Sequence, residues 1–341
     1  MSQHFLLSAK ARSLSLKEII RMSDDQARAT FRAIRFAETA GEPVCPVPEC
    51  DKAPAYELAG RHLFKCKKCS TNFSLTSKTL FASRKMSIRD ILTAIALFVN
   101  GANGVSALRM SRELQCDYKT AYVLLHKLRE TMASMRTPHK LTGLVDLDGK
   151  IVGGKVKKPN SKAELALRKK EREAEATARE RSIVTIRERR PGGRSLTFVV
   201  KNEADAVPFV LQHVDRNADL RTDMGSGWSK LGLFFPNHRD VNHSIAYMID
   251  GIHINAVEGA NSRYRRAEIG VHHHIWGPYL PAYADEMAWR DDHRRVSNGV
   301  QYALVGRRAA TLPVSRAWKG YWQRRKDRAE TSPTGAASLG E

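Results

Sequence analysis

The chain has 341 residues, 42% of them hydrophobic and 27% charged, which allows two or three folded domains and excludes a protein that is disordered throughout. Lys and Arg number 57 against 36 Asp and Glu, so the net charge is +21. This excess favours nucleic acid as a partner, with a generically basic protein as the alternative. No apolar stretch reaches the roughly 18 residues that cross a bilayer, and no signal-peptide pattern opens the chain. We therefore expect a cytoplasmic protein without a membrane partner.

The N-terminal third of the chain alternates helical patterns with a cysteine-bearing segment. Apolar residues recur at helical spacing over residues 1–40, which predicts an N-terminal helical segment. A cysteine module follows over 41–82. Residues 87–134 are again helical and are predicted to form three pieces, which Gly101–Gly104 and residues 115–117 separate.

The clustered cysteines predict a structural zinc site. The first pair, Cys45 and Cys50, is C-x4-C. The second pair, Cys66 and Cys69, is C-x2-C and follows after fifteen residues. Two such turns direct four thiolates at one tetrahedral ion and leave no open coordination position, so the zinc would hold the fold rather than catalyse; free buried thiols are the alternative. Cys116 lies apart and is expected to be a small core residue.

Residues 104–132 have the pattern of a helix, a short turn and a second helix, as in helix-turn-helix DNA readers. The second helix is expected to begin near Asp117, a residue type that caps helices. Its first turn would present Tyr118, Lys119 and Thr120 to a DNA groove. Helical pairs are also common in protein cores, so the pattern alone leaves DNA binding and core packing open.

Beyond residue 140 the pattern changes to a mixture of strands and helices. This mixed region begins at Leu141, and LVDLDGKIVGG over 144–154 alternates like a strand. Two alternating runs around a PGG turn predict a hairpin over 182–200. The segment 155–181, between the first strand and the hairpin, is dense in Lys, Arg and Glu. Such a composition is typical of a solvated helix or a mobile insertion, and the segment could either contact DNA or be an exposed face without a specific role. Further on we expect a helix over 203–217, a strand ending at Asp223, mainly helical sequence over 243–329 and a disordered tail.

Acidic residues in three segments suit divalent cations. Asp146 and Asp148 lie two apart on a predicted strand and so point to the same face. Such carboxylates need either a cation or a neighbouring arginine when buried, and the sequence leaves both open. Asp223 ends a second strand, and Glu258 follows after 34 residues on a predicted helix. Two strand aspartates and a helix carboxylate can hold two Mg²⁺ about 3.5–4 Å apart for in-line phosphoryl transfer.

The order of these motifs resembles that of bacterial insertion-sequence transposases, in which a DDE catalytic domain of ribonuclease-H type follows a four-cysteine ribbon and a helix-turn-helix. The likeness covers roughly residues 41–295. VDLDGKIVGG resembles the first-acid motif through Asp148, and Thr222-Asp223 resembles the second. The remaining matches are His253-Ile254-Asn255 with Glu258, the VNHS of residues 241–244, Arg265-Arg266 where Lys-Arg is usual, Gly270 with His272, and a Y-x-x-E-x-x-x-R helix through Tyr283, Glu286 and Arg290.

The resemblance implies an α/β fold class. A ribonuclease-H-like catalytic domain, with a mixed sheet flanked by helices, would occupy residues 141–300 and contain the charged insertion. A zinc ribbon over 41–82 and an all-helical helix-turn-helix module over 87–134 would precede it, and a basic helix with a disordered tail would follow over 301–341.

The resemblance also implies Mg²⁺ or Mn²⁺ as catalytic metal beside the structural zinc. Asp148, Asp223 and Glu258 would be the catalytic ligands. Asn255 competes for the third position, and we favour Glu258 because a third anion better offsets two dications, with Asn255 as a neutral ligand or positioning residue. Gly149 departs from the family, since an acid commonly follows the first catalytic Asp.

The implied activity is transposition of DNA by a nucleoid-associated enzyme. The protein would bind the terminal inverted repeats of its element as double-stranded DNA, cut each end, and join the freed 3′-hydroxyl to target DNA. Pairing of two ends implies a homo-oligomer. Arg265 and Arg266 would contact DNA, as would the second helix of the helix-turn-helix. A domesticated transposase that only regulates through DNA binding, or a metal-dependent nuclease that cuts without joining, are the alternatives.

Overall fold

The protein forms two compact units. The first joins residues 1–134 with 294–341, and the second contains residues 135–293. Within the described ranges no helix is long and apolar enough to cross a membrane. The structure is a computed structural model, and it describes residues 5–136, 139–153, 169–241, 253–275 and 277–322.

The secondary structure of the described residues is mixed. The helices, in chain order, are α1 Leu16–Arg21, α2 Asp24–Arg35, α3 Ile88–Asn100, α4 Ala107–Glu113, α5 Tyr118–Ala133, α6 Lys169–Arg179, α7 Val207–His213, α8 Asn255–Ala267, α9 Leu280–Asp292 and α10 Asn298–Thr311. The strands are β1 Ala55–Leu58, β2 Leu63–Cys66, β3 Asn72–Phe73, β4 Leu144–Val152, β5 Arg181–Glu188, β6 Ser195–Val200, β7 Asp219–Asp223 and β8 Arg239–Val241.

Helix α3 lies at the centre of the first unit and packs against α1, α2 and α10. Ser87 begins it with a capping box: its side chain accepts from the backbone N–H of Asp90, whose carboxylate accepts from the backbone N–H of Ser87. Leu92 and Ile95 are fully buried on it. Helices α4 and α5 pack against each other, as expected of a helix-turn-helix.

The small sheet of the first unit holds the cysteine module. Its strands run antiparallel in the order β1-β2-β3. The ring of Phe64 on β2 packs against those of Phe36 and Phe73, with centroid distances of 6.1 and 5.5 Å. Such a small sheet buries little apolar area, so these aromatic contacts are important for its stability.

The second unit is built on a five-stranded mixed sheet in the order β6-β5-β4-β7-β8. Strands β6, β5 and β4 are antiparallel, while β4, β7 and β8 are parallel. One face carries a core cluster that includes Leu147, Val210 and Trp228. A second cluster, which includes Ile183 and Tyr264, joins the sheet to α8 and α9. This layered α/β arrangement confirms the predicted fold class.

Several element boundaries differ from the predicted ones. Strand β4 begins at Leu144, the first residue of the predicted LVDLDGKIVGG strand, and Leu141 forms only an isolated bridge to Val214. The helix expected over 203–217 is a 3-10 turn, Glu203–Ala206, followed by the shorter α7. Asp117 precedes α5, but its side chain makes no capping hydrogen bond. Parts of the predicted insertion (154–168), the VNHS motif (242–244) and the C-terminal tail (323–341) lie outside the described residues.

Candidate active site and metal centre

The four predicted zinc ligands converge on one point. Their sulfur atoms all lie within 4.8 Å of one another, and the Sγ atoms of Cys45 and Cys69 are 3.8 Å apart. The backbone N–H groups of Lys68 and Cys69 donate to Cys66 Sγ, at 3.3 and 3.4 Å. Four sulfurs at this spacing suit a closed tetrahedral zinc, which supports the structural role expected of the module.

Neighbouring groups prepare one of these thiols for a metal. Hydrogen bonds between Cys69 and the side chain and backbone of Thr71 lower the pKa of Cys69 to about 6. Cys69 is exposed, whereas Cys45, Cys50 and Cys66 are buried. Because zinc binds thiolates, a cysteine that is ionised at neutral pH lowers the proton cost of metal binding.

The parallel pairing of β4 and β7 brings two predicted acids together. Leu144 pairs with Asp219 and Asp146 with Arg221. Continuing this register by two residues sets Asp148 beside Asp223, at the end of β7. The charge of Asp223 raises the pKa of Asp148, so the two carboxylates interact. The first two acids of the predicted triad therefore share one site.

Asp146, the other acid on this face of β4, is paired with an arginine. It is fully buried and accepts two hydrogen bonds from Arg189, at 2.6 and 3.1 Å. Arg189 also donates to the backbone oxygen of His253, and its Nη1 lies 3.1 Å from the His253 ring nitrogen Nε2. The sequence left either a cation or an arginine as the partner of this carboxylate, and in the structure the partner of Asp146 is an arginine. Through Arg189, Asp146 fixes the segment that leads into α8.

An asparagine that the sequence did not single out holds Asp148. The side-chain nitrogen of Asn261 on α8 donates to Asp148 Oδ2 at 2.8 Å, and its oxygen accepts from Thr185 Oγ1 at 3.0 Å. Asn261 lies three residues after Glu258, so the helical spacing itself contained the signal. The residues predicted to share a face, Asn255, Glu258 and Ser262, are not among the buried residues of α8, which include Val257, Asn261 and Tyr264.

The site is electrostatically strained without a cation. Burial is the main cause that raises the pKa of Asp148 to about 7, and the charges of Asp223 and Glu203 add to it, although the hydrogen bond from Asn261 opposes the rise. Burial and the charge of Asp223 also raise the pKa of Glu203. Sequence reasoning missed Glu203, because nothing in its local pattern distinguishes it from a solvated helix-start acid.

The donor set fits a hard divalent cation. Asp223 Oδ1 is buried and has no hydrogen-bond partner among the described residues. A buried carboxylate oxygen left in this way is costly unless a cation meets it. Mg²⁺ and Mn²⁺ prefer carboxylate oxygen, which Asp148 and Asp223 supply from adjacent strands.

The third predicted acid lies farther from this pair. Glu258 is half-buried on α8, and its charge raises the pKa of His253, although burial and other charges lower that pKa overall. Among the described residues, only the cysteines form a group of three or more metal-ligating atoms within 4.8 Å of one another. Asp148, Asp223 and Glu258 therefore do not meet around a single point. Asn255 is exposed at the start of α8, and its backbone N–H donates to the His253 ring.

The predicted DNA-contacting residues lie on two helices. On α5, Tyr118 and Lys119 are exposed and Thr120 is half-buried. Trp322 lies over this turn: its indole N–H donates to the Lys119 carbonyl oxygen at 3.4 Å, and the Lys119 ammonium lies 5.4 Å from its ring centroid. Trp322 therefore partly covers the first turn of α5, the turn that was predicted to face a DNA groove.

The arginine pair lies on the last turn of α8. Arg265 and Arg266 are both exposed, and Arg266 donates to Ser262 Oγ at 3.3 Å. Glu286 and Arg290, from the motif on α9, instead form a buried ion pair with an N–O distance of 2.8 Å. Arg265 and Arg266 are therefore at the surface, whereas Glu286 and Arg290 are buried and pair with each other.

Comparison with known protein families gives two matches. An ISXO2-like transposase domain matches residues 140–292, which contain Asp148, Asp223 and Glu258. A transposase zinc-ribbon domain matches residues 22–72, which contain the four cysteines. Together the two matches cover more than half of the chain. No curated protein and no solved structure matches it.

Proposed function

Since the chain belongs to the insertion-sequence transposases that carry an ISXO2-like DDE domain behind a zinc ribbon, we propose that it cuts the ends of its DNA element and joins them to target DNA. The observation that carries this proposal is the parallel register of β4 and β7, which, continued by two residues, sets Asp148 beside Asp223. Asp223 Oδ1 is buried without a hydrogen-bond partner in the described part of the chain. A regulator that only binds DNA has no use for this costly arrangement.

Asp148 and Asp223 would hold Mg²⁺ or Mn²⁺. When bound, a pair of such ions activates the attacking oxygen and stabilises the departing one during phosphodiester transfer. Asn261 orients Asp148 through its amide. Arg189 ties the entrance of α8 to Asp146, and this helix supplies Glu258 as the third acid, with Asn255 at its start.

DNA recognition would be divided between the two units. The zinc ribbon and helices α4 and α5 would bind the inverted repeats, with Tyr118, Lys119 and Thr120 toward base edges and other basic residues on phosphates. Arg265 and Arg266 would contact the DNA strand presented to the acids. Because transposition joins two element ends, the active form would be a homo-oligomer on double-stranded DNA.

The test is a joining assay with purified full-length protein, labelled element-end DNA, a target plasmid and Mg²⁺ or Mn²⁺. The wild-type protein is expected to release cut ends and form joined products. Asp148→Asn and Asp223→Asn should each abolish both products while end binding persists, because the amide removes an anionic ligand but keeps the side-chain shape.

Asp240→Asn is the matched control, since Asp240 is exposed on β8, the strand next to Asp223, and this variant should join DNA as the wild type does. Joining that survives in Asp148→Asn would refute the proposed site. Cutting without joining by the wild-type protein would favour a nuclease, and binding without either product would favour a regulator.

A further inference from the structure

Glu203 reaches the catalytic strand from a distant part of the sequence. It begins the 3-10 turn Glu203–Ala206 that follows β6. A Cβ built on Gly149 would lie 2.1 Å from Glu203 Oε1, 2.5 Å from its Cδ and 2.6 Å from its Cγ. The side chain of Glu203 therefore fills the space that any side chain at position 149, the residue after Asp148, would need.

A second glycine admits Glu203 from the other side. A Cβ on Gly227 would lie 2.9 Å from Glu203 Cβ and 3.3 Å from the backbone nitrogen of Ala204. Gly227 lies in the turn Ser226–Trp228, which follows Asp223. Glu203 is thus held between the segment that carries Asp148 and the segment that carries Asp223.

Three carboxylates are concentrated here without a compensating cation. The charges of Glu203 and Asp223 act on Asp148, and that of Asp223 acts on Glu203. In the part of the chain that the structure describes, no lysine or arginine forms an ion pair with any of the three. Like charges that are partly buried together destabilise a fold unless something positive joins them. Their arrangement therefore favours a cationic ligand over a purely structural role for Glu203.

We propose that Glu203 is a further ligand of the divalent cations held by Asp148 and Asp223, and that Gly149 and Gly227 admit it to the site. This inference rests on the proposed function, because it takes the Asp148–Asp223 pair as the metal-binding centre. The three carboxylates do not all lie within 4.8 Å of one another, so two ions would share them rather than one ion being held by all three.

The test measures Mn²⁺ binding to the full-length protein, from the free-ion signal in electron paramagnetic resonance, alongside DNA joining. Glu203→Gln should weaken Mn²⁺ binding by about tenfold or more, since even residues that only orient ligands change metal affinity by 10–100-fold. Gly149→Ala should weaken it similarly, because the added methyl group displaces the Glu203 carboxylate. In a Glu203→Ala background, Gly149→Ala should cause no further loss, since all three nearest atoms around the added Cβ belong to Glu203.

Gly232→Ala is the matched control, because its Cβ would meet only His238 Nδ1 at an ordinary 3.6 Å, and it should bind Mn²⁺ as the wild type does. Wild-type Mn²⁺ affinity in Glu203→Gln, or additive losses in the double variant, would overturn the assignment of Glu203. If Asp148→Asn loses Mn²⁺ binding and Glu203→Gln does not, only this inference fails. If Asp148→Asn also retains both Mn²⁺ affinity and joining, the proposed function fails.

Discussion

A single amide side chain, that of Asn261, links the helix α8 to the acid on β4. It donates to Asp148 and accepts from Thr185, so it fixes both the carboxylate and its own orientation. Asn261→Ala should weaken Mn²⁺ binding and slow DNA joining by roughly 10–100-fold, because groups that orient metal ligands have effects of that size. Mn²⁺ titration and single-turnover joining would measure the two effects.

The adjacent exposed residue offers a control for Asn261. Ser262→Ala removes a hydroxyl that accepts only from Arg266 among the described residues, so it should leave Mn²⁺ affinity unchanged. End-DNA binding should be unchanged in both variants. Equal Mn²⁺ affinities for Asn261→Ala and the wild type would show that Asp148 does not depend on this amide.

The residues of the site differ in how far the sequence could predict them. Strand patterns pointed to Asp146, Asp148 and Asp223, and the family resemblance selected Asp148. The parallel register of β4 and β7, continued by two residues, then brings Asp148 and Asp223 together. Asn261 was missed because helical periodicity defines faces without saying which one meets the sheet. Glu203 was missed because its position depends on the close approach of Gly149 and Gly227, and such contacts between distant segments leave no trace in local spacing.

At the scale of elements, the hairpin β5–β6 is joined to the end of α9 by buried charges. Asp292 accepts from the backbone N–H and the hydroxyl group of Ser195, and Arg187 contacts both Asp291 and Asp292. Burial raises the pKa of Asp292 to about 6, despite these hydrogen bonds and the charge of Arg187, while the charge of Asp291 adds to the rise. Ionisation of Asp292 therefore opposes folding.

This pKa predicts a pH-dependent stability. The pKa of Asp292 rises from 3.8 in the unfolded state to about 6 in the folded state. Between these two pH values only the folded state holds the carboxyl proton. The stabilising contribution of protonated Asp292 is therefore complete below pH 3.8 and is lost as the pH rises through about 6. The contribution amounts to at most about 3 kcal/mol. Asp292→Asn should flatten the decline in unfolding free energy between pH 4 and pH 7, measured with urea; an unchanged pH profile would contradict the raised pKa.

The zinc ribbon is the element most dependent on its ligand. Its three short strands bury few side chains, and Cys66 is among the most buried at 1% exposure. Removing zinc with a chelator should unfold the ribbon and abolish end-DNA binding, because metal-binding energy supplies the folding energy of such modules. Cys66→Ser should act in the same way, whereas Cys116→Ser, a substitution outside the cluster, should not.

Zinc release, followed with a colorimetric chelator, and circular dichroism would test this prediction. One zinc per chain is expected in the wild-type protein and in Cys116→Ser. A chain that keeps its ribbon and its DNA affinity after zinc is removed would contradict it. The sequence anticipated this element well, because two short cysteine turns specify a metal site locally, whereas the extent of α7 depends on which residues the neighbouring segments cover.

At the scale of the whole molecule, the net charge of +21 has to be reconciled with a buried acidic site. Positive charge draws DNA to the protein over a distance of about one Debye length, while the acids repel phosphate at close range until cations neutralise them. DNA binding should therefore be strong without metal and should not need Asp148 or Asp223. Strand chemistry should depend on both.

The salt dependence of end-DNA binding tests the role of this charge. If six to ten phosphates are contacted, affinity should fall by roughly 10³–10⁵ between 50 and 200 mM salt, as fluorescence anisotropy would show. Replacing both exposed arginines, Arg265→Gln with Arg266→Gln, should reduce the logarithmic slope by about 1.8, since each phosphate contact contributes about 0.9. Asp148→Asn should leave the slope of the wild type. A slope near zero would mean that the basic surface is not directed at DNA, and an unchanged slope in the double variant would remove these two arginines from the interface.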